Sequence, residues 1–258
     1  MKKTLIHPDF GMYPSAIQPY LHKARIYDSS CSEAAKTVFI DGELKAYLKI
    51  DSQGKLLREK EMTCFFHSFG LAPKVLEYFC HEGRDYLITA ALDGEDGIAA
   101  QYLQSPQKLA ACMGEYLKII HALPTEACPY QHRTAEMLSE SQANIKRAYA
   151  DRNIIPEDIG VAAARLAELR QFGRDDVVIH GDYCLPNIIM KDFQLQGFVD
   201  LGTGGIGDRH YDLFWGLWTL EYNLGTDKYG YHFLDAYGKD QVDPQRLELY
   251  RLLAGFTE

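Results

Sequence analysis

The sequence predicts an α+β fold with two lobes: an N-terminal lobe built on a mixed β-sheet with one helix, and a mainly helical C-terminal lobe. Two observations lead to this prediction. Before residue 90, short apolar runs alternate with polar residues and are separated by turn signals, which is typical of strands. After residue 105, apolar residues recur at helical spacing. The change falls at the turn-rich stretch 90–97, so we expect lobes at residues 1–91 and 92–258.

Five strands and one helix are expected in the N-terminal lobe. The strands are residues 24–28, 36–40, 43–50, 74–79 and 86–89, and the helix is residues 55–66. Asp41-Gly42 is a strong signal for a hairpin turn between the second and third strands. Lys49 lies in an apolar strand, where a buried ammonium is costly without a partner, and the helix offers Glu59 and Glu61. The alternative is that Lys49 belongs to an edge strand and faces water.

Helices are expected through most of the C-terminal lobe. Ser105-Pro106 predicts a helix start, with Ser105 as the N-cap and Pro106 at the first helical position. The apolar residues at 109, 113, 117 and 120 have the spacing of a core face. Further helical patterns cover residues 135–150, 157–170, 211–222, 226–237 and 243–256, and the segment 151–160 is rich in turn residues and acids.

Three polar side chains stand at the ends of predicted strands between residues 177 and 200. A β-branched run at 177–179 predicts a buried strand that breaks shortly before Asp182. Asn187 opens a second apolar run and a third run ends at Asp200, so we expect a hairpin that carries both residues at its open end. Mg²⁺ prefers such a sparse set of oxygen ligands, completed by phosphate and water.

The spacing of these residues indicates phosphoryl transfer. Asp182 and Asn187 are five residues apart, and Asp200 follows thirteen residues later. This layout matches a loop that orients an attacking hydroxyl, followed by a loop that holds Mg²⁺ on ATP phosphates. Asp and Asn are also common turn residues, and such a pair recurs by chance in other proteins. The strand context and the preceding His180-Gly181 favour the functional interpretation.

The longer pattern resembles the aminoglycoside phosphotransferases, especially the 3′-phosphotransferase group. The matching runs are HGDYCLPNI at 180–188, GFVDLG at 197–202, GDR at 207–209 and YDL at 211–213. The resemblance implies a bilobal protein-kinase-like fold, Mg²⁺, and transfer of a γ-phosphoryl group from ATP or GTP to an aminoglycoside hydroxyl, with the 3′-hydroxyl expected. It implies that Asp182 is the catalytic base and that Asn187 and Asp200 are metal ligands. We expect Asp212 to brace the catalytic loop rather than to take part in the chemistry.

The same resemblance implies which residues of the N-terminal lobe bind the nucleotide. Lys49 would contact the α- and β-phosphates, and Glu59, within Arg58-Glu59-Lys60, would hold it. Backbone groups of a hinge would bind the adenine edge, and a serine-bearing loop would bind the β-phosphate. The hinge residues are Ala90, Ala91 and Leu92, and the loop residues are Ser30 and Ser32. Since residues 28–36 contain no Gly, a polar connector is an equally good interpretation of that loop.

The acceptor side departs from the family pattern. The family's C-terminal helix commonly ends in an acidic pair that binds substrate ammonium groups, and Ala254 and Gly255 stand at those positions. In the family a basic residue often follows the Asp-Leu-Gly sequence, whereas here that position is occupied by Thr203, which carries no charge. The remaining acidic candidates for acceptor binding are Asp151, Glu157, Asp158, Glu221 and Glu258. The main alternative is therefore a kinase of the same fold that acts on another hydroxyl compound, such as an amino alcohol, a sugar or a macrolide.

A dinucleotide-binding protein is a more remote alternative. Residues 202–207 fit G-x-G-x-x-G and follow a predicted strand. However, Asp200 stands beside the first glycine, where an unneutralised carboxylate would repel a pyrophosphate. Only 51 residues follow Gly207, and their pattern is mostly helical, without the further strands that a dinucleotide fold needs. The glycines better fit a backbone that turns tightly beside a metal-bound phosphate.

Composition limits the expected partners and location. No run of 18 apolar residues occurs and the N-terminus is too polar for a signal peptide, so we expect no membrane association. Six scattered cysteines without a C-x-x-C pair indicate neither zinc nor a disulfide framework, and they suit the reducing cytoplasm. A net charge of −9 disfavours nucleic acid. We expect a small-molecule substrate and a monomer or weak dimer.

Overall fold

The structure is a computed structural model that describes residues 3–8, 11, 13–30 and 35–257. The chain divides into two compact units. One comprises Met1–Gly97 with Pro186–Gly202, and the other comprises Ile98–Leu185 with Thr203–Glu258. The segment 186–202 therefore packs with the N-terminal part of the chain, whereas the boundary expected at residues 91 and 92 left this segment in the C-terminal lobe.

Eleven β-strands and nine α-helices are formed by the described residues. The strands are β1 (Thr4–Ile6), β2 (Arg25–Asp28), β3 (Lys36–Asp41), β4 (Lys45–Ser52), β5 (Val75–His81), β6 (Arg84–Ala90), β7 (Glu95–Asp96), β8 (Val177–Ile179), β9 (Ile188–Lys191), β10 (Gln194–Phe198) and β11 (Gly205–Gly207). The helices are α1 (Gln18–Leu21), α2 (Leu57–Ser68), α3 (Ala100–Leu103), α4 (Pro106–His121), α5 (Arg133–Lys146), α6 (Ile159–Leu169), α7 (Arg209–Leu224), α8 (Gly230–Tyr237) and α9 (Pro244–Thr257). Every strand and helix expected from the sequence is present, with bounds that differ by a few residues.

The first unit is built on a six-stranded sheet in the order β1-β2-β3-β4-β6-β5, and every adjacent pair is antiparallel. The predicted mixed sheet of five strands is therefore wrong in both respects. Sequential strands that follow one another through a hairpin pair antiparallel, and the three-residue strand β1 is too short to give a sequence pattern. The unit also contains the four-residue helix α1 besides the single predicted helix, α2. The predicted turn at Asp41-Gly42 is confirmed, since Asp41 pairs with Lys45 across β3 and β4.

Helix α2 is fixed against this sheet at its start and along one face. The backbone N–H of Leu56, which precedes the helix, donates to the buried carboxylate of Asp85 at 3.0 Å. The helix buries Met62, Phe65 and Phe66. Because Glu59 lies in the first turn of α2, these contacts determine where its carboxylate is held.

A second sheet explains why residues 186–202 belong to the first unit. It has the order β10-β9-β7, and β7 brings Glu95 opposite Met190. The N–H of Phe198 donates to the carbonyl of Leu71 at 2.8 Å. At Gly94, whose φ is +154°, a Cβ would lie 2.4 Å from the Met190 carbonyl oxygen, so only glycine permits this approach. Such pairing between distant segments has no signature in local sequence.

The second unit is mainly helical. Helix α4 packs on α8 so closely that a Cβ at Gly114 would lie 2.4 Å from the carbonyl oxygen of Phe233. Helices α5, α6 and α7 contact α9, and the strands β8 and β11 pair antiparallel. The expected core positions 109, 113, 117 and 120 of α4 are buried. Ser105 occupies the N-cap position as predicted, but its side chain makes no capping hydrogen bond, so Pro106 alone favours the start. Among the described helices, none is both long and apolar enough to cross a membrane.

Candidate active site

A lysine with two carboxylate partners lies at the centre of the first unit. Lys49 is on β4, which lies between β3 and β6, so the edge-strand alternative is excluded. Its Nζ atom donates to Glu59 Oε2 at 2.8 Å and to Asp200 Oδ1 at 2.7 Å. The sequence required a partner for this lysine, and the structure provides two, from α2 and from the segment after β10.

The electrostatics of this cluster keep the lysine charged. Burial acts to lower the pKa of Lys49, but the charges of Asp200 and Glu59 outweigh it, so the pKa is raised above its ordinary value. Burial also raises the pKa of Glu59, and the Lys49 ammonium opposes that shift. The result is a fixed positive charge beside a half-exposed Asp200, whose side chain is 48% accessible.

Asn187 and Asp200 lie at the open end of the predicted hairpin, which is confirmed. Ile188 pairs with Phe198, and beyond this pair the N–H of Val199 donates to the carbonyl of Asn187 at 3.0 Å. Asp200 adopts the left-handed region with φ of +58°, which is uncommon for a residue other than glycine and recurs at ligand-binding loops. The donor set is one amide and one carboxylate oxygen. Such hard oxygen ligands fit Mg²⁺, which takes its other ligands from phosphates and water.

The loop that carries Asp182 lies in the second unit and is braced by Asp212. This buried carboxylate accepts the N–H of His180 at 2.7 Å and the N–H of Gly181 at 2.9 Å, as expected for a bracing residue. Gly181 has φ of +87°, and a Cβ there would lie 2.3 Å from the Thr203 carbonyl oxygen. Only glycine can therefore precede Asp182 in this turn.

Further anchors hold the same loop, and sequence reasoning missed them. The hydroxyl of Tyr183 donates to the carbonyl of Met113 at 2.7 Å, and the N–H of Leu185 donates to Thr219 Oγ1 at 3.2 Å. Both partners come from helices remote in sequence, so no motif signals them. Asp182 itself is partly exposed at the tip of this well-anchored turn.

The remaining predicted nucleotide contacts are only partly compatible with the structure. The amides of Ala90 and Ala91 donate to the carbonyls of Lys74 and Lys45, both at 2.9 Å. Contrary to the expectation, these two amides are therefore not available to bind an adenine edge. The reason is that Ala90 ends strand β6, and sheet bonding extends to Ala91. Ser30 Oγ, just after β2, accepts the N–H of Thr37 in β3 at 3.0 Å. Ser32 lies outside the described residues.

The acidic residues expected to bind the acceptor make local contacts. Asp158 accepts the N–H groups of residues 160 and 161 as the N-cap of α6, and Asp151 accepts the N–H of Asn153 at 2.8 Å. Glu157 pairs with Arg251 of α9 at 2.5 Å, and hydrogen bonding from this arginine lowers the pKa of Glu157. Glu221 is exposed on α7, and Glu258 lies outside the described residues.

The structure explains why no acidic pair ends α9. Ala254 is fully buried, and a Cβ at Gly255 would lie 2.5 Å from Ile155 Cγ1. The carbonyl of Gly255 accepts the N–H of Asp151 at 2.8 Å, so helix and loop are joined at this point. A side chain at position 255 would displace Ile155, and a longer side chain at position 254 would have to fit into a fully buried site.

Comparisons with known proteins, by sequence and by structure, all identify phosphotransferases. Residues 33–250 match the sequence profile described as "Phosphotransferase enzyme family". The chain is 40% identical over 241 residues to a "Probable aminoglycoside 3′-phosphotransferase" of Lactococcus lactis subsp. lactis (strain IL1403), with 92% of each chain covered. A crystal structure of an aminoglycoside-3′-phosphotransferase of type VIII superposes with a TM-score of 0.76, 25% identity and 95% of both chains covered.

A further solved structure bears on the fold. It is the aminoglycoside phosphotransferase APH(3″)-Id from Streptomyces rimosus in complex with ADP and streptomycin, with a TM-score of 0.73 and 24% identity. The aligned region covers 86% of this chain and 90% of the chain in that structure. Together these structures confirm the predicted α+β, kinase-like fold class.

Proposed function

This chain belongs to the phosphotransferase enzyme family, and we propose that it transfers the γ-phosphoryl group of ATP or GTP to an aminoglycoside-type acceptor at its 3′-hydroxyl. It is an ATP-dependent phosphotransferase with an alcohol group as acceptor. The proposal therefore concerns the acceptor and the role of each residue. The cluster of Lys49, Glu59 and Asp200 supports the assignment of roles, since a fixed ammonium lies beside Asp200, the carboxylate to which we assign Mg²⁺.

On the nucleotide side, Lys49 contacts the α- and β-phosphates and Glu59 holds its ammonium in place. The raised pKa of Lys49 keeps this group charged at every physiological pH. The amides of Ala90 and Ala91 serve the sheet. We therefore assign the adenine edge to the Leu92 amide and to hinge carbonyls. Ser30 acts through its hydrogen bond with Thr37, which links the end of β2 to β3.

Asn187 and Asp200 hold Mg²⁺, because both supply oxygen donors at one end of the β9–β10 hairpin. When bound, Mg²⁺ neutralises charge on the phosphates as the γ-phosphoryl group is transferred. Lys49 Nζ donates to one carboxylate oxygen of Asp200, Oδ1, at 2.7 Å. Removal of the Asp200 carboxylate therefore affects both the Lys49 ammonium and the bound Mg²⁺.

Asp182 orients the acceptor hydroxyl and takes its proton. Phosphoryl transfer passes through a loose transition state that needs little base strength, so placement of this carboxylate matters more than its basicity. The bonds from His180 and Gly181 to Asp212 provide that placement, because they fix the backbone immediately before Asp182. A preformed loop also avoids an ordering cost during the reaction.

Acceptor binding involves an exposed face of α7. Tyr222 is 72% exposed and stacks on Trp218 with ring centroids 4.9 Å apart and an angle of 10°. Glu221 is exposed beside them, and Thr219 of the same helix bonds the catalytic loop at Leu185. A flat aromatic pair with a carboxylate suits a sugar ring that carries an ammonium group. Asp151, Glu157 and Asp158 add negative charge more weakly, since each is already hydrogen-bonded locally.

A second candidate is a kinase of the same fold for a less cationic acceptor, such as an amino alcohol, a sugar or a macrolide. Two observations favour it: Ala254 and Gly255 are packed where the family has acids, and Arg251 neutralises Glu157. Losing one charged hydrogen bond costs about 1.5–3 kcal/mol, or roughly ten- to a hundredfold in affinity. We therefore propose that the enzyme phosphorylates only a restricted set of aminoglycosides and that it binds these acceptors weakly.

One assay separates the two candidates. ADP release should be measured with kanamycin, neomycin, choline, a neutral sugar and a macrolide, each against an acceptor-free control. The proposal predicts acceptor-dependent release with at least one aminoglycoside and none with the other compounds. Release with an unrelated alcohol, and with no aminoglycoside, would transfer the assignment to the second candidate.

We further propose a cytoplasmic enzyme that acts as a monomer or weak dimer, without nucleic-acid or membrane partners. The cysteines that the structure describes, at positions 64, 80, 112, 128 and 184, form no disulfide with one another, which suits a reducing compartment. Phosphorylation of an aminoglycoside hydroxyl would give the cell resistance to that compound.

A further inference from the structure

We infer that His121 is a positioning residue for the catalytic loop, acting through Asp212, and that Tyr237 fixes its ring. The inference rests on the proposed function to the extent that the positioned loop carries the base Asp182. It assigns a role in the reaction to two residues of α4 and α8 that have no place in the catalytic motifs.

The three side chains form one buried chain of contacts. His121 ends α4, and its Nε2 lies 3.3 Å from Asp212 Oδ2. Its Nδ1 lies 2.8 Å from the hydroxyl oxygen of Tyr237 in α8. The side chains of His121 and Asp212 are 4% and 0% exposed. Since Asp212 Oδ2 also accepts the N–H of His180 at 2.7 Å, the histidine and the loop share one oxygen atom.

The direction of each hydrogen bond follows from the chemistry of the partners. An ionised carboxylate only accepts, so His121 Nε2 carries the hydrogen and donates to Asp212. In the neutral ring Nδ1 then accepts, and its donor is the Tyr237 hydroxyl. Burial raises the pKa of Tyr237 to about 12, against the opposing charge of Arg209, so this hydroxyl keeps its proton. The tautomer assigned in this way gives an oriented chain from Tyr237 through His121 to Asp212.

This chain controls the rotation of the Asp212 carboxylate. One side of the carboxylate binds the loop through the amides of His180 and Gly181, and His121 holds it from another helix. Without the ring N–H, a buried carboxylate with a missing donor turns towards other partners and draws the loop with it. Because small displacements of a reacting group reduce turnover steeply, the effect appears in kcat rather than in KM for ATP.

Three variants test the role. His121→Phe keeps a ring but removes both nitrogens, and His121→Gln keeps an amide N–H near the position of Nε2. Tyr237→Phe removes only the hydroxyl. We expect His121→Phe to lower kcat about tenfold or more, with KM for ATP unchanged. His121→Gln should recover most of the loss, and Tyr237→Phe should fall between wild type and His121→Phe.

Hydrogen exchange of the amides of residues 180 and 181, measured with the kinetics, does not depend on knowing the acceptor. We expect these amides to exchange about tenfold faster in His121→Phe than in wild type, and His121→Gln to restore protection. Unchanged exchange in His121→Phe, or equal impairment of the Gln and Phe variants, would overturn the inference. An aminoglycoside panel without turnover by wild type would count against the proposed function alone, and exchange would still decide the role of His121.

Discussion

Adding one methyl group at Gly255 should destabilise the protein, although alanine normally favours a helix. A Cβ at this position would lie 2.5 Å from Ile155 Cγ1, 2.7 Å from Ile155 Cδ1 and 2.9 Å from Ile154 Cγ2. Both isoleucines are buried, and the Gly255 carbonyl is tied to the N–H of Asp151, so neither side yields easily. We place the steric cost at about 3 kcal/mol, the upper part of the usual overpacking range.

The net effect follows by subtraction. Replacing Gly by Ala within a helix returns about 1 kcal/mol, which leaves a loss of about 2 kcal/mol and a melting temperature lowered by about 4–8 °C. Thermal unfolding of Gly255→Ala and wild type measures this difference. Gly160→Ala is the matched control, since a Cβ there meets only the capping carboxylate of Asp158, at 3.0 Å. This control should leave the melting temperature unchanged or raise it.

A double-mutant cycle identifies the cause. Ile155→Ala removes the two atoms nearest the new methyl group, so it should cost much less in the Gly255→Ala background than in wild type. A Gly255→Ala variant that melts at or above the wild-type temperature would refute the steric argument. Additive effects of the two substitutions would refute it as well. Either result would mean that contact with Ile155 does not exclude a Cβ at position 255.

Three further predictions concern the reaction. Asp200→Ala should abolish Mg²⁺-dependent turnover, because it removes a metal ligand and leaves Lys49 with a single carboxylate; near-normal turnover would reject the metal assignment. Asp182→Asn should lower kcat about a hundredfold or more with KM for ATP unchanged, and a loss confined to ATP binding would exclude it as the base. Tyr222→Ala should raise KM for the acceptor about three- to tenfold without changing KM for ATP. The matched control Tyr231→Ala, which removes an exposed tyrosine of α8, should leave both constants unchanged, and equal effects of the two would contradict the α7 acceptor surface.

Local patterning was sufficient to predict the hairpin and its flanking residues. The alternation of apolar runs places Asn187 and Asp200 at one end of β9 and β10, and no distant contact is needed to see it. The need of Lys49 for a partner also follows from the sequence, because the cost of burying an ammonium is a property of the residue. The structure adds that Glu59 and Asp200 are both partners of Lys49, and that Asp200 lies 151 residues away from it in the chain.

Contacts between distant segments account for what the sequence did not reveal. His121 and Asp212 are 91 residues apart, and His121 reads in sequence as the end of an apolar helix face. The assignment of residues 186–202 to the first unit depends on pairing between β7 and β9, which is likewise non-local. Charge alone makes the acids at 151, 157 and 158 candidates for acceptor binding, but nearby backbone amides and Arg251 already bond them. The sequence shows where acidic residues occur, whereas the fold determines which groups their carboxylates bond.

The position of the transferred phosphate tests the central claim most directly. Purified protein should be incubated with Mg²⁺, ATP and either kanamycin or a 3′-deoxy aminoglycoside, and the product position should be determined by ³¹P and ¹H NMR. The account predicts a single phosphate ester at the 3′-oxygen of kanamycin and no product from the 3′-deoxy compound. Equal phosphorylation of the 3′-deoxy compound, or an ester at another oxygen of kanamycin, would contradict it.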